Sequence, residues 1–224
     1  MIIVGLTGSI GMGKSTAASM FRRMNIPVYD SDMAVHTVLG KGGSAVKSIE
    51  VAFPDVVIDG VVDRHALGDR VFGDSAAIEK LECIIHPLVR QRQDWFLKRC
   101  GARRVGLAVL DIPLLFEVGL DVRCDASIVV SAPASIQEAR VLARPGMTRE
   151  KFDDIKARQI PDAVKRRRAD FVVPSGRGRA ETLRHLLRIA KLMRKEAARH
   201  WPPNVYVERK VKRRSMHERA NPRY

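Results

Sequence analysis

Ile2-Ile3-Val4-Gly5-Leu6 is an unbroken apolar run, and from Lys14 onward apolar residues recur at helical spacing as Ala17, Met20, Phe21 and Met24. The run reads as a strand buried on both faces, and the spacing as one apolar face of a helix lying over it. Ile26-Pro27-Val28-Tyr29 predicts a second strand closing at Asp30-Ser31-Asp32, with a helix from Met33. Val105 to Leu110 predicts a third strand ending at Asp111, Ser127 to Val130 a fourth, and Asp170-Phe171-Val172-Val173 a short last one. A helix from Ser135 to Arg144 is broken by Pro145-Gly146, and another runs from Thr148 to Gln159. The last strand is followed by a helix with Leu183, Leu186, Leu187, Ala190 and Met193 on one face. Strands alternating with helices imply right-handed crossovers and a parallel sheet, hence an α/β fold of three layers.

Residues 40 to 103 interrupt this alternation. They read as mostly helical with glycine breaks and contain Val62-Asp63-Arg64 and Ile85-His86-Pro87-Leu88. A core of 1–34, 104–140 and 165–194 is expected, with an inserted helical segment at about 35–103 and a basic lid at about 141–164. Beyond Lys195 the pattern degrades into Trp201-Pro202-Pro203 and a basic stretch, so 195–224 is expected to be a mobile tail.

A chain of 224 residues with 46% hydrophobic content suits one compact unit. Its formal net charge is +15, and residues 195–224 alone hold nine Lys/Arg against three Glu. Phosphate-rich ligands, nucleic acid or an acidic surface would all be attracted to such a chain. Three cysteines without a C-x-x-C pair, and six histidines without H-x-x-x-H spacing, suggest neither a disulfide framework nor a zinc site. With no basic leader and no apolar stretch of membrane-spanning length, a soluble cytoplasmic protein is expected.

The chemistry begins at Gly8-Ser9-Ile10-Gly11-Met12-Gly13-Lys14-Ser15, which fits G-x-x-x-x-G-K-[ST] at every fixed position and sits between a strand and a helix. Such a loop points successive N–H groups inward around phosphate oxygens, aided by the positive end of the following helix. Gly11, Met12, Gly13, Lys14, Ser15 and Thr16 are the candidate nucleotide contacts, Lys14 for the β- and γ-phosphates and Ser15 for Mg²⁺. A guanine-reading N-K-x-D is absent, which argues against a switch GTPase. Arg140, Arg144, Arg149 and Arg158 flank the Pro145-Gly146 break, where planar, permanently charged guanidinium groups can close on phosphoryl oxygens.

Carboxyl ends of parallel strands line the ligand crevice. Asp30 and Asp32 both stand there. A lone aspartate in that place usually caps the following helix. If Asp30 closes the strand, Asp32 projects toward the crevice as the candidate base for an attacking hydroxyl. Asp111 reads either as a water-mediated Mg²⁺ contact or as a cap of its strand. His86 reads as a pocket contact or as a structural histidine.

Taken in order, Gly5 to Thr16, Asp30-Ser31-Asp32, Asp63-Arg64, His86-Pro87, Pro113-Leu114-Leu115-Phe116-Glu117, Cys124-Asp125, Gln137 to Arg144 and Arg158-Gln159 resemble the dephospho-coenzyme A kinase family over residues 2 to about 194. The resemblance implies a P-loop NTP hydrolase fold of the nucleoside monophosphate kinase type, with a helical coenzyme-binding insertion and a lid. It also implies transfer of the γ-phosphoryl of ATP to the ribose 3′-hydroxyl of dephospho-coenzyme A, the last step of coenzyme A synthesis. Asp32 is then the base, Lys14, Arg140 and Arg144 the charge-neutralising groups, and Asp32, Arg64, His86 and Leu114 the acceptor contacts. Where the family commonly has an asparagine near the adenine, Val173 is followed here by Pro174-Ser175-Gly176, so base recognition is expected from backbone groups and Arg177. The alternatives are another small-molecule P-loop kinase or a nucleic-acid-binding ATPase; aromatics at 5% offer the latter little stacking surface, although the basic tail leaves it open.

Overall fold

The computed structural model describes residues 1–202. Five strands form one sheet in the order β2-β5-β1-β6-β7, all parallel: β1 (Ile2–Thr7), β2 (Val28–Asp30), β5 (Leu107–Asp111), β6 (Ala126–Ser131) and β7 (Phe171–Pro174). β1 lies at the centre, paired with β5 from Ile2–Leu107 to Leu6–Asp111 and with β6 from Val4–Ala126 to Thr7–Val129. Its apolar run is continuous because both faces are covered. Ile2, Val4 and Leu6 pack with Ala17, Phe21, Leu186 and Ile189 of α1 (Lys14–Arg23) and α9 (Arg179–Met193). Ile3 faces the other way, with Leu97, Cys100 and Leu115. Leu107 and Val109 against Ala108 and Leu110 of β5 divide between the same two layers.

The inserted segment has its own core around Val38, Ile49, Phe53, Val62 and Leu67. It consists of α2 (Ser31–Leu39), α3 (Val46–Ala52), a two-stranded ribbon β3 (Val57–Ile58) and β4 (Val61–Val62), α4 (Arg64–Val71) and α5 (Ser75–Ala102). The ribbon is an addition to the mostly helical insertion that the sequence suggests. Its turn is Asp59-Gly60, both at positive φ, a two-residue hairpin signal that the surrounding glycines masked. α5 continues through Pro87, whose missing N–H leaves the Cys83 carbonyl without a helical donor. Tyr29 ties this helix to β2: its hydroxyl donates to the Val89 carbonyl at 2.9 Å, and its ring lies 5.5 Å from Phe96. Burial pushes the Tyr29 hydroxyl up to about 12.

α6 (Ala134–Leu142) and α7 (Arg149–Ala157) flank the Pro145-Gly146 break as expected, and α8 (Asp162–Arg168) straddles the boundary placed at 164/165. The chain does not leave the body of the fold at Lys195. Arg199 and His200 donate backbone N–H groups to Asp125 Oδ1 at 2.6 and 3.2 Å, while Asp125 Oδ2 accepts from Ile3 N at 2.7 Å. Trp201 packs beside Gly101, near the core of the sheet's second face. The expected mobility of the tail from residue 203 on lies outside the described residues.

Candidate active site

The loop between β1 and α1 is held in shape by two demands that only glycine meets. Gly13, which precedes α1, has φ of 89°, in the left-handed region. A Cβ on Gly8 would lie 2.7 Å from the Val130 carbonyl oxygen, so the loop can start this close to β6 only without a side chain. Side chains from elsewhere then grip its carbonyls. Gln137 Nε2 donates to Ile10 O at 2.8 Å, and Ser175 Oγ donates to Met12 O at 2.6 Å. In a trans peptide the N–H points opposite to the C=O, so the N–H groups of Gly11 and Gly13 turn into the hollow of the loop.

That hollow opens on a cavity of about 560 Å³ reaching Lys14, Ser15, Thr16, Arg140, Arg144 and Asp32. Lys14 Nζ lies 2.7 Å from Asp111 Oδ1, with side-chain exposures of 13% and 3%. Burial pushes the Asp111 carboxyl above its ordinary range, and the attraction of Lys14 offsets this only in part. Arg140 braces the wall: Nη2 donates to Ser175 O at 2.7 Å, and Nη1 to Ser175 Oγ at 3.1 Å and, more weakly, to Gly11 O at 3.4 Å.

A second cavity of about 1020 Å³ runs between α2, α5 and the loop after β5, with His86, Arg90 and Leu114 among its lining. Only Asp32 and Pro113 line both cavities. The reason for Asp32 is local. Asp30 caps α2, its Oδ1 accepting from Met33 N at 3.0 Å, which puts Asp32 in the exposed first turn at the crevice.

Arg64 joins neither cavity. Its Nη1 lies 3.0 and 2.9 Å from the two ring nitrogens of His36, and it lines a separate groove with Arg158. His36 stands one helical turn beyond Asp32, so Arg64 meets α2 a turn further along the helix than the crevice. Two lid arginines also point elsewhere: Arg149 pairs with Glu138 and with Asp153 at 3.4 Å, and Arg158 stacks over Phe72 at 5.5 Å. Arg177 is 80% exposed and pairs with Glu181 at 3.7 Å, while Arg179 and Thr182 reach the first cavity instead. Ser175, next to Pro174, had no assigned role, although it grips the loop directly. A serine in a short P-S-G link carries no periodic signal that could have pointed to it.

Comparison with known proteins agrees with this geometry. A family model described as dephospho-CoA kinase matches residues 2–180. The dephospho-CoA kinase of Paramagnetospirillum magneticum is 59% identical over 166 residues, covering 74% of this chain and 78% of that protein. That of Mesorhizobium japonicum is 57% identical over 178 residues, covering 80% and 89%. Among solved structures, a Thermus thermophilus protein superposes with a TM-score of 0.77 at 35% identity, covering 85% of this chain and 96% of that one. The dephospho-CoA kinase of Campylobacter jejuni shares the fold, with a TM-score of 0.59 at 20% identity and coverage of 87% and 98%. By the family match over most of its length, the chain belongs to the dephospho-CoA kinase family.

Proposed function

We propose that this chain carries out its family's reaction where the two cavities meet, with ATP in the cavity of the phosphate loop and dephospho-coenzyme A in the cavity beside α5. The single observation that carries this reading is that Asp32 borders both. A dephospho-CoA kinase moves the γ-phosphoryl of ATP to the ribose 3′-hydroxyl of its acceptor. Asp32 accepts the proton of that hydroxyl and aligns its oxygen with the γ-phosphorus. The N–H groups of Gly11 and Gly13 hold phosphate oxygens, and Lys14 places its charge on the β- and γ-groups. Arg140 is engaged with Ser175 and Gly11 and keeps the wall in place, which leaves Arg144 as the lid cation for the transferred group. His86, Arg90 and Leu114 contact the acceptor; Arg64 acts only through His36.

Mg²⁺ fits the donor set. Ser15 and Asp111 offer a hydroxyl and a carboxylate, the oxygen ligands a hard divalent ion takes. Among the described residues no cluster of three acidic, histidine or cysteine side chains forms a cage of its own, in keeping with an ion held partly by the nucleotide. When bound, the ion supplies positive charge to the phosphate oxygens. No described helix is long and apolar enough to cross a membrane, and a cytoplasmic setting is part of the proposal.

The test is a coupled assay with ATP, Mg²⁺ and a panel of acceptors, including nucleosides and nucleoside monophosphates. Dephospho-coenzyme A is expected to be the preferred acceptor, and Asp32→Asn to lower kcat by at least about 10²-fold with the fold intact. Turnover of Asp32→Asn near that of the unmodified chain removes the base assignment.

A further inference from the structure

Lys165 is the one charged side chain among the described residues with no exposed surface at all. It opens the basic run Lys165 to Arg168 on α8, whose other three members are exposed. Its Nζ lies 2.8 Å from Glu117 Oε1 and 3.5 Å from the Pro113 carbonyl, which also accepts from Thr7 Oγ1 at 2.9 Å. Glu117 Oε1 accepts as well from the backbone N–H of Ile160 at 3.0 Å, and the residue before it, Gln159, accepts from Ile10 N in the phosphate loop at 3.1 Å. An unbroken set of bonds thus runs from the phosphate loop, through the end of the lid, to the segment Pro113–Glu117, whose first residue lines both cavities.

We propose that Glu117, paired in the interior with Lys165, is a positioning residue for phosphoryl transfer: by accepting from Ile160 N it seats Gln159 on the phosphate loop and fixes the spacing between loop and acceptor wall. The physical ground is the cost of the arrangement. A buried ion pair is weak evidence for stability, because apolar side chains of similar volume serve as well or better. Here the carboxylate does something an apolar group cannot, which is to anchor the backbone N–H of Ile160 just after α7. Reaction geometry is unforgiving, since a shift of about 1 Å in placement can lower turnover by about 10²-fold.

The inference rests on transfer taking place at Asp32, and Asp32→Asn tests that separately. Two double variants separate positioning from stability. Glu117→Gln with Lys165→Met removes both charges but keeps an acceptor for Ile160 N, whereas Glu117→Leu with Lys165→Met removes the acceptor too. With both shown folded by circular dichroism, the glutamine form is expected to keep kcat within about threefold of the unmodified chain. The leucine form is expected to lose at least about tenfold in kcat with little change in either KM, and to hydrolyse more ATP per acceptor phosphorylated. Equal turnover of the two forms, whether both high or both low, overturns the proposal. Gln159→Ala tests the same connection without touching the buried pair: a loss of kcat like that of the leucine form supports it, and unchanged turnover overturns it.

Discussion

Replacing Lys14 by methionine removes the cation proposed for the phosphates, and it also strands a carboxylate. Asp111 is 2% exposed, and among the described residues its only hydrogen-bonded side-chain partner is Lys14 at 2.7 Å. The Asp111 carboxyl already titrates above its ordinary value because burial outweighs the lysine, with Asp30 adding to the rise and Arg22 opposing it. Without Lys14 the rise grows. Removing one partner of a buried pair costs about 3 kcal/mol here, the lower end of the usual range because Lys14 keeps 13% of its surface exposed. For a chain of this size that lowers Tm by about 6–12 °C. The pH dependence has a definite sign. A carboxyl whose folded pKa is raised binds more protons folded than unfolded, so stability is present at low pH and is lost as pH rises from the unfolded value through the folded one. The Tm deficit of Lys14→Met should therefore be larger at about pH 8 than at about pH 5, measured by scanning calorimetry on the ligand-free protein. Adding Asp111→Asn should recover most of it, because the neutral amide has no charge to strand. A deficit equal at both pH values, or one that Asp111→Asn leaves in place, refutes the reasoning.

Ser175→Ala removes the hydroxyl that donates to Met12 O and accepts from Arg140. At about 1–3 kcal/mol for the buried partners left behind, KM for ATP should rise by about tenfold or more with a smaller change in kcat, in steady-state kinetics at saturating acceptor. The three cysteines should separate by reactivity: Cys83 is exposed, Cys100 is buried, and burial with the nearby Asp125 charge pushes the Cys124 thiol up to about 12. The thiolate is the reactive form, so alkylation of the native protein at about pH 8, read by mass spectrometry, should modify Cys83 and spare Cys124.

The sheet was legible because its parity is unambiguous. Alternate residues of Ile2 to Leu6 had to face two different helical layers, and they do. The phosphate loop was legible for a similar reason, since its glycines answer backbone constraints that act at short range. Spacing from the strand end pointed to Asp32 as the crevice residue, while which aspartate caps α2 stayed open until the bond from Met33 N to Asp30 Oδ1 was seen. What could not be read was the destination of long cationic side chains. Arg64, Arg149, Arg158 and Arg177 each stand near the site in sequence, yet each is claimed by a partner from another element or the next turn. Lys165 is the converse. Inside a run of four basic residues it reads as a solvated charge, and only the phase of α8 against the loop after β5 drives it inward. The Asp59-Gly60 hairpin was missed differently, since two-residue strands are too short to show a period.

Asp125 joins the first residues of β1 to Arg199 and His200, at the end of the sheet opposite the phosphate loop. Arg199 to Trp201 therefore lie at the end of the sheet away from the phosphate loop. A cut made ahead of Arg199 takes both backbone donors from Asp125 Oδ1 and leaves the Oδ2 bond to Ile3 N in place, so the start of β1 loses its tie to the C-terminal segment but not its carboxylate.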